Sequence, residues 1–579
     1  MKPMRFFDNP MLGAKKPMWR SRLVLVLLML GFLALAAKAL YLQGLSKDFL
    51  QQQGEKRYER NLVLPATRGK IFDRTGNVVM ASSIPVRAIW AIPEDARQIE
   101  PEALAKLAKL LEMEPKDISN RVADENKTFV YLKRQVPLEI ADQIRSLKLP
   151  GVHQQAEMRR FYPEGDLAAH IVGFTNSDDK GIEGVELAFN QELSGTPGSR
   201  RVIRDRLGRI IEDVQDIVPP RNGQDLRLSI DSGLQFDLYA ALRAAREQHN
   251  ATAISGVVLD VKTGEVLAMV NLPSYDPNNQ AERRGSVLRN RALTDTFEPG
   301  SIMKPFTVAL ALDLKRINLN TKFDTGNGQY RYYGATISDV SKHNGVLDAA
   351  GILRRSSNIG MAMISERLVP QEMWNKFTEL GFGRTPQADF PGAASGRLRP
   401  WERWRPIERA TMSYGYGLSA SLIQIAQAYT AFARNGDMVA LTMLRRNGKP
   451  ASYQVYTPQV AKEVRAMLEA AAGPDGSKLA QVQGYRVAGK SGTARKIVNG
   501  KYSTSLYRSS FVGFAPVSDP RIVVAISIDE PKSKEYYGGR VAAPVFSEVV
   551  ARSLRRLGVP PDAPVKSMVA VGPEQGDTR

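Results

Sequence analysis

From Leu23 to Ala37 the chain reads LVLVLLMLGFLALAA without a charge, and only Lys38 interrupts the apolar run before Leu42. Twenty helical residues at 1.5 Å each span about 30 Å, the thickness of bilayer hydrocarbon. Lys38, near the far end, can lift its ammonium to the interface without forbidding the span. The 22 preceding residues hold Lys2, Arg5, Lys15, Lys16, Arg20 and Arg22 against Asp8 alone, a bias that keeps this end in the cytoplasm. Everything after about Gly44 then folds outside. A second reading is a cleaved signal peptide, since Ala34-Leu35-Ala36 has the small-x-small form of a cleavage site. Either way the body of the chain is exported.

What is exported is large. A length of 579 residues leaves room for two to four domains at roughly 150 residues each. The net charge of +20 accompanies 24% charged and 43% apolar residues, an ordinary globular balance. Export argues against nucleic acid as the partner of that charge and favours anionic headgroups or an anionic envelope polymer. After a polar connector over 46–60, the stretch to about Asp216 mixes short strand-like runs with turns, as in an extended, non-compact domain. Within it, residues 101–113 place Leu104, Leu107, Leu110 and Leu111 on one helical face. Pro219-Pro220-Arg221-Asn222-Gly223 is linker chemistry. Beyond it come a strand over 226–230, a helix over 234–247 and a hairpin of 256–260 with 266–270. Helices over 460–472 and 541–557 and a strand over 521–529 follow. Strands on both sides of a helical block predict an antiparallel sheet covered by helices, an α+β arrangement. The tail after Pro560 reads as disordered.

With no cysteine and only His153, His170, His249 and His343, thiol catalysis, thiolate metal sites and a histidine triad are all disfavoured. A nucleophile would be serine or threonine, activated by lysine or a carboxylate. In Glu298-Pro299-Gly300-Ser301-Ile302-Met303-Lys304-Pro305 a Pro-Gly loop meets an apolar helix, and Pro305 fits only the first turn. Spacing i, i+3 stacks Lys304 beside Ser301. Burial would make that lysine a general base, and the helix terminus would favour a developing oxyanion. Alone, S-x-x-K is expected roughly two or three times by chance in a chain this long and reads equally as a surface cap. Ser356-Ser357-Asn358 is as common and could be a polar loop. Lys490-Ser491-Gly492-Thr493 has a chance frequency of about one per hundred such chains, and its plain reading is a β-turn. All three, in this order and in one exported domain, form a strong signal.

S-x-x-K, S-x-N and K-[ST]-G in this order are the signature of penicillin-recognising serine transferases and hydrolases, which the chain resembles. Arg68-Gly69-Lys70-Ile71-Phe72-Asp73-Arg74, Arg159-Arg160-Phe161-Tyr162-Pro163 and Gly181-Ile182-Glu183-Gly184-Val185-Glu186 are similar to the pedestal motifs of class B penicillin-binding proteins. Physically, such arginines and acids near glycine turns could tie a β-rich domain together by charge-assisted bonds. Asp260-Val261-Lys262-Thr263-Gly264-Glu265, Tyr414-Gly415-Tyr416-Gly417 and Tyr536-Tyr537-Gly538-Gly539 resemble the division-specific penicillin-binding protein 3 type of Gram-negative bacteria.

The resemblance implies a cytoplasmic tail over 1–22, a transmembrane anchor over 23–42, a β-rich pedestal over 43–218, a transpeptidase domain over 224–558 and a tail over 559–579. It implies a D,D-transpeptidase that cross-links stem peptides during septal cell-wall synthesis and is inhibited covalently by β-lactams, with no cofactor, metal or nucleic acid. Its partners would be the inner membrane, a membrane glycosyltransferase and other division proteins, with the catalytic domain in the periplasm. Ser301 would attack, Lys304 would take its proton, Ser356 would relay protons, and Asn358 would orient Lys304 and the substrate amide. Lys490, at a strand end, would supply positive charge. Ser491 and Thr493 would bind the substrate carboxylate, Gly492 would let substrate backbone approach, and the N–H groups of Ser301 and Thr493 would form the oxyanion hole. Relatives commonly carry Thr-Val between serine and lysine. Here Ile302-Met303 would act by packing and would slow acylation.

Other readings are a bifunctional synthase, a β-lactamase and a β-lactam sensor, which the pedestal motifs or the short segment before the anchor disfavour. A non-catalytic assembly protein and a β-lactam-binding paralogue with specialised conditions of use remain as alternatives.

Overall fold

The apolar run folds as one helix, Met18–Leu40, none of whose side chains is buried. It belongs to a candidate span, Met18–Gln43, of mean hydropathy 2.6, which fits a single-pass anchor. Its cations are held near aromatic rings at both ends: Arg20 lies 5.7 Å from the Trp19 ring and Lys38 lies 5.0 Å from that of Tyr41. These are the amphipathic residues suited to a membrane interface. The structure, a computed structural model, describes residues 18–45, 59–204, 210–213 and 217–564. Most of the expected cytoplasmic tail, most of the connector and the end of the carboxy-terminal tail lie outside the described residues.

Packing divides the chain into two compact units, one of residues up to Ala66 with Thr196–Arg221, the other of Thr67–Gly195 with the chain from Asn222 onward. In the first, Glu59–Leu64, Gly198–Arg204 and Ile210–Asp213 form a three-stranded antiparallel sheet.

In the second unit, residues 67–195 hold an apolar cluster of their own. The leucine stripe of the helix Pro101–Leu111 buries Leu107 and Leu111 against Ile89, Ile118, Leu132 and Ile144 of neighbouring strands and helices. The three pedestal motifs meet in one buried charge cluster. Arg68 Nε and Arg160 Nε each donate to Glu186 at 2.6 Å, with all three side chains at 0–1% exposure. Arg68 also donates to Asn190 Oδ1 at 3.0 Å and Ser194 Oγ at 2.8 Å. One carboxylate shared by two guanidiniums, with further acceptors for their remaining N–H groups, satisfies the demand that buried charges be paired.

The predicted antiparallel sheet has five strands: Ala253–Asp260 (β1), Val266–Leu272 (β2), Ala488–Val498 (β3), Lys501–Ala515 (β4) and Ile522–Asp529 (β5). Their spatial order is β2-β1-β5-β4-β3. Every residue of β1, β2 and β5 is buried, because helices cover both faces. Ser232–Gln248 and Ala543–Arg556 pack on one face and the wholly buried Leu422–Ala433 on the other. Two-sided burial explains why these strands read as continuous apolar runs rather than alternating ones. The expected strand over 226–230 shrinks to Leu226–Arg227, beside Ile71–Phe72. Residues 559–564 are anchored rather than disordered: the Asp562 carboxylate accepts from Arg486 N at 2.7 Å and Ser518 Oγ at 2.9 Å.

Candidate active site

Gly300–Met303 is a 3₁₀ turn that runs directly into the helix Lys304–Asp313, with Pro305 in the first turn, where its missing N–H breaks no intrahelical bond. Two neighbours hold the turn. Gly300 N donates to Gly415 O at 3.0 Å, and a Cβ on Gly415 would come 2.2 Å from Gly300 O. On the opposite side, a Cβ on Gly492 would lie 3.0 Å from both Ile302 Cγ2 and Pro299 O. The missing side chain at 492 therefore makes room for the nucleophile's own turn, whereas the sequence reading reserved that room for substrate. Ile302 and Met303 are fully buried, and Ile302 O accepts from the Tyr429 hydroxyl at 2.8 Å, so this pair acts by packing.

Ser301 and Lys304 are linked through a third residue. Ser356 caps the helix Ala349–Arg355 in the left-handed region, at φ 57°. This tight corner turns its side chain and carbonyl toward the lysine. Lys304 Nζ donates to Ser356 O at 2.6 Å and to Ser356 Oγ at 3.3 Å, and Ser356 Oγ donates to Ser301 Oγ at 2.9 Å. The direct Ser301–Lys304 pairing expected from i, i+3 spacing is thus replaced by a bridge. Lys304 has no solvent exposure. Burial, and then the positive charge of Lys490, push its pKa well below the ordinary lysine value, while Asp339 opposes the shift. The shift favours the uncharged amine, which is the form that can accept a proton. Asn358 sits at the start of the helix Asn358–Glu366 and donates through Nδ2 to Ser338 O at 3.1 Å; it makes no hydrogen bond to Lys304.

Strand β3 is a sheet edge and forms the other wall. Lys490 is its third residue, not its end as expected, and is 97% buried. Its Nζ donates to Ser491 O at 3.0 Å, and burial lowers its pKa to about 8. Ser491 Oγ accepts from Ser477 Oγ at 3.2 Å, and Thr493 Oγ1 accepts from Gly538 N at 2.9 Å, which leaves the threonine hydroxyl proton free to donate. Ser301, Ser356, Asn358, Lys490, Ser491 and Thr493 all line one cleft of about 530 Å³. Lys304 lies beneath it, and Gly492 faces the turn. The N–H of Ser301, in the first turn of the 3₁₀ segment, is among the donors such a turn leaves without an intrahelical partner.

Two domain families match the chain: the penicillin-binding protein transpeptidase domain over residues 254–551 and the penicillin-binding protein dimerisation domain over 63–228. The "Probable peptidoglycan D,D-transpeptidase PenA" of Neisseria gonorrhoeae is 40% identical over 96% of this chain and 97% of its own. The "Peptidoglycan D,D-transpeptidase FtsI" of Escherichia coli K12 is 37% identical over 94% and 93%. Among solved structures, the transpeptidase domain of Burkholderia pseudomallei penicillin-binding protein 3 is 51% identical, covering 58% of this chain and 98% of that one, at a TM-score of 0.54. The chain belongs to the class B penicillin-binding proteins.

In this penicillin-binding protein one residue of the site escaped the motifs. Asp339, in the loop after a short hairpin, accepts from Ser357 Oγ at 2.6 Å, Asn358 N at 2.6 Å, Ile359 N at 3.0 Å and Asn344 Nδ2 at 2.9 Å. It takes the first two N–H groups of the helix that carries Asn358 and holds Ser357, whose Oγ caps that helix by accepting from Gly360 N at 2.9 Å, and so fixes the S-x-N corner. Nothing in the sequence near position 339 signals this, because the carboxylate finds its partners only once the loop folds back.

Proposed function

We propose that the protein is a serine D,D-transpeptidase that cross-links peptidoglycan stem peptides during septal wall synthesis. In this reading residues 1–22 are cytoplasmic, 23–42 cross the inner membrane, 43–218 form the pedestal, and 224–558 carry the reaction in the periplasm. A membrane glycosyltransferase and other division proteins are its partners. The observation that carries the reading is the hydrogen-bonded chain Ser301–Ser356–Lys304, at 2.9 and 3.3 Å between side chains, beside an edge strand bearing Lys490, Ser491 and Thr493.

The Ser301 proton passes through Ser356 to neutral Lys304 as Oγ attacks the carbonyl between the last two D-alanines. The N–H groups of Ser301 and Thr493 receive the oxyanion, each worth roughly 3–4 kcal/mol in other hydrolases. Lys490, Ser491 and Thr493 hold the terminal carboxylate. The proton returns through Ser356 to the leaving amine, and an amine of a second stem then takes the acyl group. A β-lactam enters by the same route and stays as the acyl-enzyme. Labelling with fluorescent penicillin, followed by mapping of the modified residue, tests this directly. Ser301→Ala should abolish labelling with the thermal transition unchanged; labelling at any other residue would remove the assignment.

A further inference from the structure

The active-site cleft is lined by six cations, Arg354, Arg355, Lys478, Lys490, Arg495 and Arg540, and by no carboxylate. The chain as a whole holds 80 basic and 60 acidic residues, so a lining of six to none departs from its average composition. Apart from Lys490, none of the six forms an ion pair or donates a side-chain hydrogen bond among the described residues. Arg495 stands on β3 itself and Arg540 on the short helix Gly538–Val541, whose first N–H donates to Thr493. Arg354 and Arg355 stand elsewhere, on the last turn of the helix that ends at Ser356. That position alone would suit any cation near a helix carboxy terminus, yet neither guanidinium bonds a carbonyl of the helix, and both are exposed to the cleft. Arg354 also lines a second cavity, of about 820 Å³, which runs between Gly473–Asp475 and the segment from Gln481 to Val487.

Resting on the transpeptidase reading, reversibility places the second substrate. The attacking amine must arrive where the leaving amine departed, within reach of the Ser356 hydroxyl. Its N–C bond forms as the Ser301 Oγ–C bond breaks, and the proton it loses travels through Ser356 to Oγ. Cations beside that point favour the neutral, nucleophilic form of the amine and attract any carboxylate near it. We propose that Arg354 and Arg355, together with Lys478, form the acceptor subsite, selecting amine-bearing peptides with a free carboxylate beyond the one next to the amine, and that the 820 Å³ cavity receives the remainder of the acceptor.

The test uses the full-length enzyme in detergent and a thioester donor, N-benzoyl-D-alanyl thioglycolate, which acylates Ser301. D-Glutamate and D-glutamine compete with water for the acyl group; they are isosteric and differ only in the second carboxylate. Wild type should transfer to D-glutamate at least fivefold better than to D-glutamine. Arg354→Gln with Arg355→Gln should bring that ratio to within twofold of one, while thioester and penicillin acylation change less than twofold; the double lysine variant should retain the preference. Equal transfer to both acceptors by wild type, or a preference surviving the double glutamine variant, overturns the subsite. Failure of the donor to acylate Ser301 would instead overturn the catalytic reading, so the two failures are distinct.

Discussion

Lys490 carries the charge on which the pH behaviour of the site turns. Burial disfavours its ammonium and brings its pKa to about 8. The group is therefore charged below that pH and neutral above it. If the charge helps hold the substrate carboxylate, the second-order rate of β-lactam acylation should be level near pH 7 and fall above pH 8. Burial lowers the pKa of Lys304 as well, and loss of its proton would raise the rate with rising pH. Lys490→Arg should move the alkaline fall beyond pH 10, since guanidinium keeps its proton. A stopped-flow profile whose alkaline limb ignores that substitution would mean that another group titrates. Both lysines were legible in the sequence because three motifs fixed them in order. The bridge between Ser301 and Lys304 was not, since helical spacing describes neighbours on one helix, and Ser356 arrives from another one.

At the scale of elements, the S-x-N corner has its own cap, Ser357 Oγ accepting from Gly360 N at 2.9 Å, but that cap is held by a carboxylate from outside the motif, Asp339. Asp339→Asn keeps one acceptor and loses the charge and the second oxygen. It should lower stability by about 1–2 kcal/mol and slow acylation at least fivefold, because Ser356 and Asn358 sit on either side of the loosened turn. Calorimetry and labelling kinetics on one preparation would show both. A thermal loss without a kinetic one would make Asp339 a cap alone. The helix Pro101–Leu111 and the β1–β2 hairpin follow the sequence pattern closely, the first from its leucine stripe and the second from apolar runs around Lys262-Thr263-Gly264. The hairpin Gln329–Tyr332 with Ala335–Ser338 was missed; its strands are short and their buried positions few, so neither periodicity nor an apolar run marks them. Gly492 was read correctly as a close-approach position but assigned the wrong neighbour, since the sequence shows that room is needed and not who needs it.

For the molecule as a whole, the amino-terminal helix contributes nothing to a core: none of its side chains is buried. Deleting residues 1–45 should uncover no core, leaving a protein that stays in the supernatant on ultracentrifugation and labels with penicillin at no less than half the full-length rate. Sedimentation of the shortened protein would point to a second membrane-binding surface. The order of strands in the central sheet has a different consequence, for biogenesis. Strand β1 pairs with β5, Ala253 opposite Asp529, and the strand bearing Lys490 joins the sheet only through β4 and β5. At roughly 5–20 residues per second of synthesis, the interval between β1 and β5 is about 15–55 s. A chain growing from its amino terminus therefore displays its serine and lysine long before the edge strand that completes the cleft. During that interval β1 offers an unpaired apolar edge, the hazard that calls for a holding chaperone, and no acylating half-enzyme exists for an antibiotic to trap.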